Sequence, residues 1–222
     1  MDLFELIGPV MVGPSSSHTA GAARIGLTAR MLLGENVTYA DVRFHGSFAK
    51  TYHGHGTDRA IVGGLMGMAV DDLRLRDSLD IAGEEGMTVD FRPVTIRGAH
   101  PNTVRRDLTG VTGRRLTMEA ASVGGGEIEI TRLDGLRVGF SGMENTLIVH
   151  HTDMPGVIAR VTGAIAKLDI NIAGMQVFRR EAGAEAIMVL ELDGTLEDEQ
   201  IQALESIRDV QRCTFLKRRT AS

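Results

Sequence analysis

Apolar residues recur at two different spacings in the first 142 residues, which predicts a mixture of helices and strands there. A helical spacing runs from Ala20 to Leu32, with Gly34 placed to end that helix. The same spacing returns from Thr57 to Met68. Val37 to Phe44 has the β-branched and aromatic content of a strand, and residues 87–137 change towards a period of two. This part of the chain is therefore predicted to be a mixed α/β domain.

The chain beyond residue 145 has a more regular pattern. Its apolar runs predict, in order, strand Leu147–Val149, helix Val157–Leu168, strands Ile172–Phe178 and Ala186–Leu192, helix Glu197–Ile207 and strand Val210–Leu216. The order βαββαβ is that of a ferredoxin-like fold. A glycine-containing stretch from Asp134 to Met143 separates this pattern from the preceding one. We therefore predict an α+β protein with domains at residues 1–142 and 145–222.

Some helix starts can also be assigned from the sequence. Asp153, two residues before Pro155, is predicted to be the N-cap of the helix at Val157. Thr195 is predicted to cap the last helix. A further short helix is expected from Asp2 to Leu6.

Composition narrows the classes of function. The 222 residues carry a formal net charge of -5, so the chain lacks the basic surface that nucleic-acid binding requires. Few of its basic residues are lysines, and none of these lies in a glycine-rich or polar loop, which argues against pyridoxal phosphate. A single cysteine, Cys213, excludes an internal disulfide and an iron–sulfur cluster held by this chain alone. With no leader peptide or long apolar run evident, we expect a cytoplasmic protein that does not contact membranes.

The loop from Gly13 to Thr19 is the first candidate site. It places several hydroxyls and a histidine directly before a helix, where free backbone N–H groups and the helix dipole favour an anion. The residues concerned are Ser15, Ser16, Ser17, His18 and Thr19. Helix capping by one serine would explain one hydroxyl, but not four that flank an imidazole. The pattern therefore favours a site for a small molecule that bears a carboxylate.

A second candidate site lies at the start of the next predicted helix, in the run His53-Gly54-His55-Gly56-Thr57-Asp58. Histidine can transfer protons near neutral pH, and the glycines let the backbone approach a ligand closely. Asp58 could orient an imidazole or accept a substrate ammonium. His53 fits an exposed loop position equally well, whereas His55 is the stronger candidate. A metal held by His53 and His55 with His18 or Asp58 is a minor alternative, because no established ligand spacing supports it.

Two further turns carry weaker signals. His100, Pro101 and Asn102 would present polar groups from a stiff turn, although turn formation alone explains the last two. Asp153, Gly156 and Val157 lie where the first strand of the second domain meets its first helix. Helix-start chemistry explains most of that segment, and ligand binding there is a hypothesis.

Taken together, these motifs resemble the β-chain of the two-chain, iron–sulfur-dependent bacterial L-serine dehydratase. The motifs that carry the resemblance are Gly13–Thr19 followed by Ala20-Gly21, His53–Asp58, His100–Asn102 and Ser122–Gly126. They occur in the family's order, and the resemblance covers nearly the whole chain. It implies a substrate-binding-type first domain, similar in fold to the allosteric substrate-binding domain of some phosphoglycerate dehydrogenases. It also implies that the second domain is an ACT domain, a fold that often pairs side by side and senses amino acids.

The resemblance further implies a function for each motif. L-serine would be converted to pyruvate and ammonia by a lyase whose 4Fe-4S cluster is held by cysteines of a separate α-chain, so this chain would hold no metal. His18 and His55 would be catalytic, with His18 as the base or proton shuttle. The substrate-binding residues would be Ser15, Ser16, Ser17, Thr19, His53, Gly56, Thr57, Asp58, His100 and Asn102. A regulatory ligand of the ACT domain would contact Asp153, Gly156 and Val157.

Two other functions would use the same loops. A non-catalytic subunit would bind amino acids with both domains and regulate a partner enzyme. An independent histidine-metal hydrolase would hold its own metal in the isolated chain.

Overall fold

The computed structural model describes residues 15–218, and the predicted helix Asp2–Leu6 lies outside them. The chain divides into two compact units, one up to Gly135 and one from Leu136. Over the described residues, every helix is too short or too polar to cross a membrane.

The first unit is built on a mostly antiparallel sheet. Its strands lie in the order β2-β1-β3-β4-β5, and only β1 and β2 run parallel. Their bounds are β1 Val37–His45, β2 Thr88–Val94, β3 Thr103–Gly110, β4 Arg115–Gly124 and β5 Glu127–Leu133. The strands predicted from the alternating spacing after residue 87 are thus present.

Helices of the first unit connect and cover these strands. A π-helical turn, Ser16–Ala20, leads directly into the first of them. The helices are α1 Gly21–Leu33, α2 Gly46–Thr51, α3 Thr57–Leu65 and α4 Ser78–Glu84, with a 3-10 turn at Leu73–Asp77. Gly34 ends α1 in the left-handed conformation, as predicted. The helix predicted to reach Met68 ends at Leu65, because Gly67 takes a φ of +88° and the N–H of Met68 turns back to the carbonyl of Gly63.

Helices α1 and α3 approach each other at two glycines. A Cβ on Gly64 would lie 2.7 Å from the backbone nitrogen of Leu27, and a Cβ on Gly26 would lie 3.0 Å from that of Leu65. Neither position has room for a side chain. Gly64 therefore serves the close packing of α1 and α3.

One face of the first sheet is buried and includes an arginine. The apolar residues of this face are Ala40, Val42, Phe44, Val104, Leu108, Leu116, Met118, Ala120 and Ile130. Arg106 lies between Val42 and Met118 in the strand register and is fully buried. Within residues 15–218 its guanidinium nitrogens have no hydrogen-bond partner, and burial lowers the pKa of Arg106 to about 9.

The second unit confirms the predicted βαββαβ order and the α+β class. After a short strand, β6 (Leu136–Phe140), its elements are β7 Thr146–Thr152, α5 Val157–Ala166, β8 Ile172–Arg179, β9 Glu185–Leu192, α6 Asp198–Glu205 and β10 Val210–Leu216. The antiparallel sheet has the order β10-β7-β9-β8. Its core is formed by Leu147, Val149, Val161, Ile165, Met188, Leu190, Leu192, Leu196, Leu204 and Cys213.

Both predicted N-caps in this unit are wrong. Helix α5 starts from Gly156, at a φ of +84°, while the carboxylate of Asp153 accepts a hydrogen bond from Arg179 at 2.5 Å. Helix α6 is capped by Glu197, not by Thr195. The side chain of Glu197 accepts from the Gln200 backbone, and its own N–H donates to Oε1 of Gln200 at 2.9 Å, which forms a capping box.

Candidate active site

The π-helical turn before α1 fixes the position of His18. The Ser15 hydroxyl oxygen accepts from the backbone N–H of His18 at 3.2 Å, and the Ser15 carbonyl accepts from the N–H of Thr19 at 2.9 Å. Ser15 therefore caps the turn, which is the role that the sequence analysis considered for one serine of this loop. Ser16 contributes its carbonyl, which accepts from the N–H of Gly21 at the start of α1.

Both ring nitrogens of His18 lie within hydrogen-bond distance of hydroxyls. Nδ1 is 3.3 Å from Oγ of Ser15 and 3.2 Å from Oγ of Ser17. On the opposite side of the ring, Nε2 is 3.2 Å from Oγ of Ser47. The imidazole is thus held between the serine-rich loop, residues 15–19, and Ser47, which follows β1.

Aromatic neighbours complete the surroundings of His18. Its ring meets Phe48 edge-on with centroids 5.3 Å apart and His55 with centroids 5.0 Å apart. Burial, and secondly the neighbouring His55, lower the pKa of His18 below its usual value. His18 is therefore neutral at pH 7, which leaves one ring nitrogen able to accept a proton.

Ser47 is held in place by its backbone. Its N–H donates to the carbonyl of Pro101 at 2.8 Å, and its own carbonyl accepts from the Thr51 hydroxyl at 2.9 Å. Gly46 makes this approach possible, because it takes a φ of +59° and a Cβ there would lie 2.5 Å from the Pro101 oxygen. The turn at Pro101 therefore supports Ser47, and through it His18.

The same turn also contacts the end of β4. The Asn102 carbonyl accepts from the N–H of Ser122 at 3.0 Å. Ser122 in turn packs on α1, since a Cβ on Gly21 would lie 2.7 Å from the Cβ of Ser122. The four motifs that carry the family resemblance, although far apart in sequence, thus meet at one site.

Three buried hydroxyls belong to the elements of this site. They are those of Thr19, Thr57 and Ser122, and each lacks a hydrogen-bond partner among the described residues. The π-helical turn that holds Thr19 contacts both α3, which begins at Thr57, and β4, which contains Ser122. Buried hydroxyls without a partner are rare in folded proteins and are a feature of sites that hold a ligand or water.

The second candidate loop forms a histidine–carboxylate pair. Nδ1 of His53 lies 2.8 Å from Oδ2 of Asp58, whose side chain is buried although that of His53 is 73% exposed. Asp58 thus orients an imidazole, one of the two roles that the sequence allowed for it. Gly56 starts α3 with a φ of +66°. In the part of the chain that the structure describes, no three acidic, histidine or cysteine side chains are grouped as a metal site.

The sequence predicted most of these residues as site residues, but Ser47 and Phe48 were missed. In the sequence, the run His45-Gly46-Ser47 indicates only the end of the strand that begins at Val37. A glycine–serine pair immediately after a strand was the available signal, since loops at strand ends often carry functional groups. His100, by contrast, uses Nδ1 to accept from the N–H of Asn102 at 3.2 Å, so its ring stabilises its own turn.

The predicted ligand residues of the second unit have their own local contacts. Asp153 pairs with Arg179, which lowers the pKa of the Asp153 carboxyl, and also accepts from the N–H of Gly183 at 3.4 Å. The Val157 side chain is buried, so only its backbone is available at the start of α5. Cys213 lies in the core, where burial raises the pKa of its thiol to about 12. A thiol of that kind does not fit the role of a cluster ligand, which requires the thiolate.

The fold and the site together define a two-domain α+β chain with a histidine–hydroxyl site in its first domain and a ferredoxin-like second domain. A family model described as serine dehydratase beta chain matches residues 1–84, and one described as ACT domain matches residues 145–209. The probable L-serine dehydratase β-chain of Bacillus subtilis is 42% identical over 96% of both chains. The L-serine dehydratase β-chain of Peptoniphilus asaccharolyticus is 34% identical, again over 96% of both.

A third relative extends the comparison to another enzyme. The D-3-phosphoglycerate dehydrogenase of Bacillus subtilis is 28% identical over 85% of this chain and 36% of its own length. The two β-chains, however, match 96% of this chain at higher identity. The chain belongs to the serine dehydratase β-chain family, and the resemblance seen in its motifs is confirmed.

Proposed function

We propose that this chain is the β-subunit of an L-serine dehydratase and supplies substrate-binding and proton-transfer groups to a site shared with an α-chain. The observation that carries the proposal is the position of His18, whose ring lies between the hydroxyls of Ser15 and Ser17 on one side and that of Ser47 on the other. A neutral imidazole beside several hydroxyl donors suits the removal of a proton next to a carboxylate.

Each part of the site has a task in this reaction. The hydroxyls from Ser15 to Thr19 and the backbone N–H groups of Ser16 and Ser17 hold the serine carboxylate, which the start of α1 favours electrostatically. His18 takes the α-proton, because its lowered pKa keeps it unprotonated at neutral pH. His55 lies against the His18 ring, while Thr57 and Asp58 complete the wall formed by α3.

The departing hydroxyl needs an electrophile that this chain does not offer, since Cys213 is buried as a thiol. A 4Fe-4S cluster held by cysteines of the α-chain would supply the Lewis acid for it. Loss of the α-proton and the hydroxyl leaves an enamine, which tautomerises and hydrolyses to pyruvate and ammonia. His18 would hold the abstracted proton during this step.

The test is reconstitution. The purified chain is mixed with its α-chain under anaerobic conditions, and pyruvate formed from L-serine is measured. We expect pyruvate from the mixture and none from either chain alone. His18→Ala should reduce kcat by about 100-fold or more, the scale of a lost general base. Ser206→Ala serves as the control, because Ser206 lies at the end of α6 and its hydroxyl donates to Gln202.

The outcomes separate the possible functions. A mixture that binds serine but forms no pyruvate would identify an amino-acid-sensing subunit instead. Near-normal kcat in His18→Ala would remove His18 from the mechanism. Metal that stays bound to the isolated chain in stoichiometric amount would favour a hydrolase.

We propose in addition that the second unit associates with another copy of itself. Strand β8 is at the edge of its sheet. Two of its apolar residues, Met175 and Val177, are 46% and 37% exposed. An edge strand that carries exposed apolar side chains favours pairing with another chain. Met175→Glu should shift the sedimentation of the full chain towards the monomer. Identical sedimentation of the variant and the original chain would contradict the proposal.

A further inference from the structure

We infer that Ser47 is a positioning residue that fixes the tautomer of His18. Its hydroxyl accepts the hydrogen of Nε2, and the lone pair of Nδ1 is left facing the serine-rich loop. The inference deepens the proposed function, since it rests on that loop holding the substrate carboxylate.

The two sides of the His18 ring are not equivalent. A neutral imidazole has one N–H and one lone pair, so one nitrogen must donate while the other accepts. Nδ1 faces Ser15 and Ser17, two residues of the loop proposed to bind the carboxylate. The α-carbon of an amino acid is bonded to that carboxylate, so its proton lies on the Nδ1 side. The nitrogen that removes it must carry the lone pair, which places the N–H on Nε2.

Ser47 suits the role of acceptor. Among the described residues its Oγ is the hydrogen-bond partner of Nε2, at 3.2 Å. Its backbone is fixed at both ends, by the bond from its N–H to Pro101 and by the bond from the Thr51 hydroxyl to its carbonyl. Nδ1, by contrast, is shared by Ser15 and Ser17, whose Oγ atoms lie 3.3 Å from each other.

The arrangement has a consequence for catalysis. With no acceptor at Nε2, the ring can also donate from Nδ1 to Ser15 or Ser17, and that tautomer has no lone pair towards the substrate. Removal of the Ser47 hydroxyl should therefore lower kcat about tenfold, the effect of one lost hydrogen bond. The carboxylate contacts are untouched, so KM should stay nearly constant.

The first measurement does not depend on enzymatic activity. The full chain is labelled with 15N at histidine, and the two ring nitrogens of His18, assigned by their loss in His18→Asn, are observed above the His18 pKa. We expect a protonated Nε2 and an unprotonated Nδ1 in the original chain and in Ser47→Thr, which keeps the hydroxyl. Ser47→Ala should show a mixture of tautomers. A protonated Nδ1 in the original chain, or the same tautomer in Ser47→Ala, would overturn the inference.

The second measurement is kinetic and uses the chain with its α-chain. Ser47→Ala should lose kcat, Ser47→Thr should recover most of it, and Ser206→Ala should match the original chain. A loss of kcat in Ser47→Ala that Ser47→Thr does not restore would show that folding, not the hydroxyl, is responsible. The two proposals fail separately: absence of pyruvate refutes the dehydratase, whereas the wrong tautomer refutes only the role of Ser47.

Discussion

Gly46→Ala tests whether the Pro101 turn supports the site. Gly46 has a φ of +59°, and the added Cβ would lie 2.5 Å from the Pro101 oxygen and 2.9 Å from its Cα. The left-handed conformation costs an alanine about 1–2 kcal/mol, and overpacking against backbone costs about 1–3 kcal/mol more. We therefore expect a loss of about 2–5 kcal/mol in the stability of the first unit. Ser47 should also move away from His18, which lowers kcat.

A matched control isolates the contact from the backbone strain. Gly86 has a φ of +80°, and a Cβ there would meet nothing within 4 Å. Gly86→Ala should therefore lose only the cost of the left-handed conformation, about 1–2 kcal/mol of stability. Because the chain has two compact units, hydrogen exchange of peptides from β1 and β3 is the suitable measurement of stability in the first one. Equal destabilisation by the two substitutions would refute the reasoning, since it would mean that the contact between the added Cβ and Pro101 costs no free energy.

Four other predictions follow from single groups. The pKa of His18 is lowered in the folded chain, so the unfolded chain takes up a proton first as the pH falls below about 6.5. The free energy of unfolding should therefore decrease below that pH, and His18→Asn should remove this pH dependence. Asp58→Asn should cost about 1–2 kcal/mol in chemical denaturation, because the amide keeps only one of the two oxygens that contact the N–H of Arg59 and Nδ1 of the largely exposed His53, and because the first-turn charge of α3 is lost. Cys213 should react with a thiol reagent only after denaturation, because it is buried with its pKa raised to about 12. Arg106→Met should leave stability unchanged or raise it in a thermal melt, because an apolar chain replaces a buried guanidinium that has no partner among residues 15–218.

Local sequence patterns predicted the candidate loops but not their contacts. The serine-rich loop was recognisable because hydroxyls and a histidine before a helix form an unusual local combination. The contact between His18 and Ser47 joins residues 29 positions apart and depends on where β1 ends beside the Pro101 turn. No periodicity in the chain encodes that distance. Ser47 was consequently missed, although it is as close to the ring as Ser17 is.

The wrong N-cap prediction at Asp153 has the same cause. Asp153 has the right residue type and position for a cap, but Arg179 lies 26 residues further along and attracts its carboxylate. The competing partner is brought by the pairing of the strands around it, and an ion pair replaces the capping hydrogen bond. Thr195 fails because Glu197 and Gln200 form a complete capping box two residues later.

By itself, the sequence determined the α+β class, the order of elements in the second unit and the family to which the chain belongs. These follow from periodicity, turn residues and motifs, all of which act over a few neighbouring positions. Only the tertiary structure decided that Ser47 and Ser122 join the site and that Arg106 lies inside the sheet's buried face. Burial and side-chain contact depend on how distant segments pack, and the same residue types are equally compatible with exposed positions.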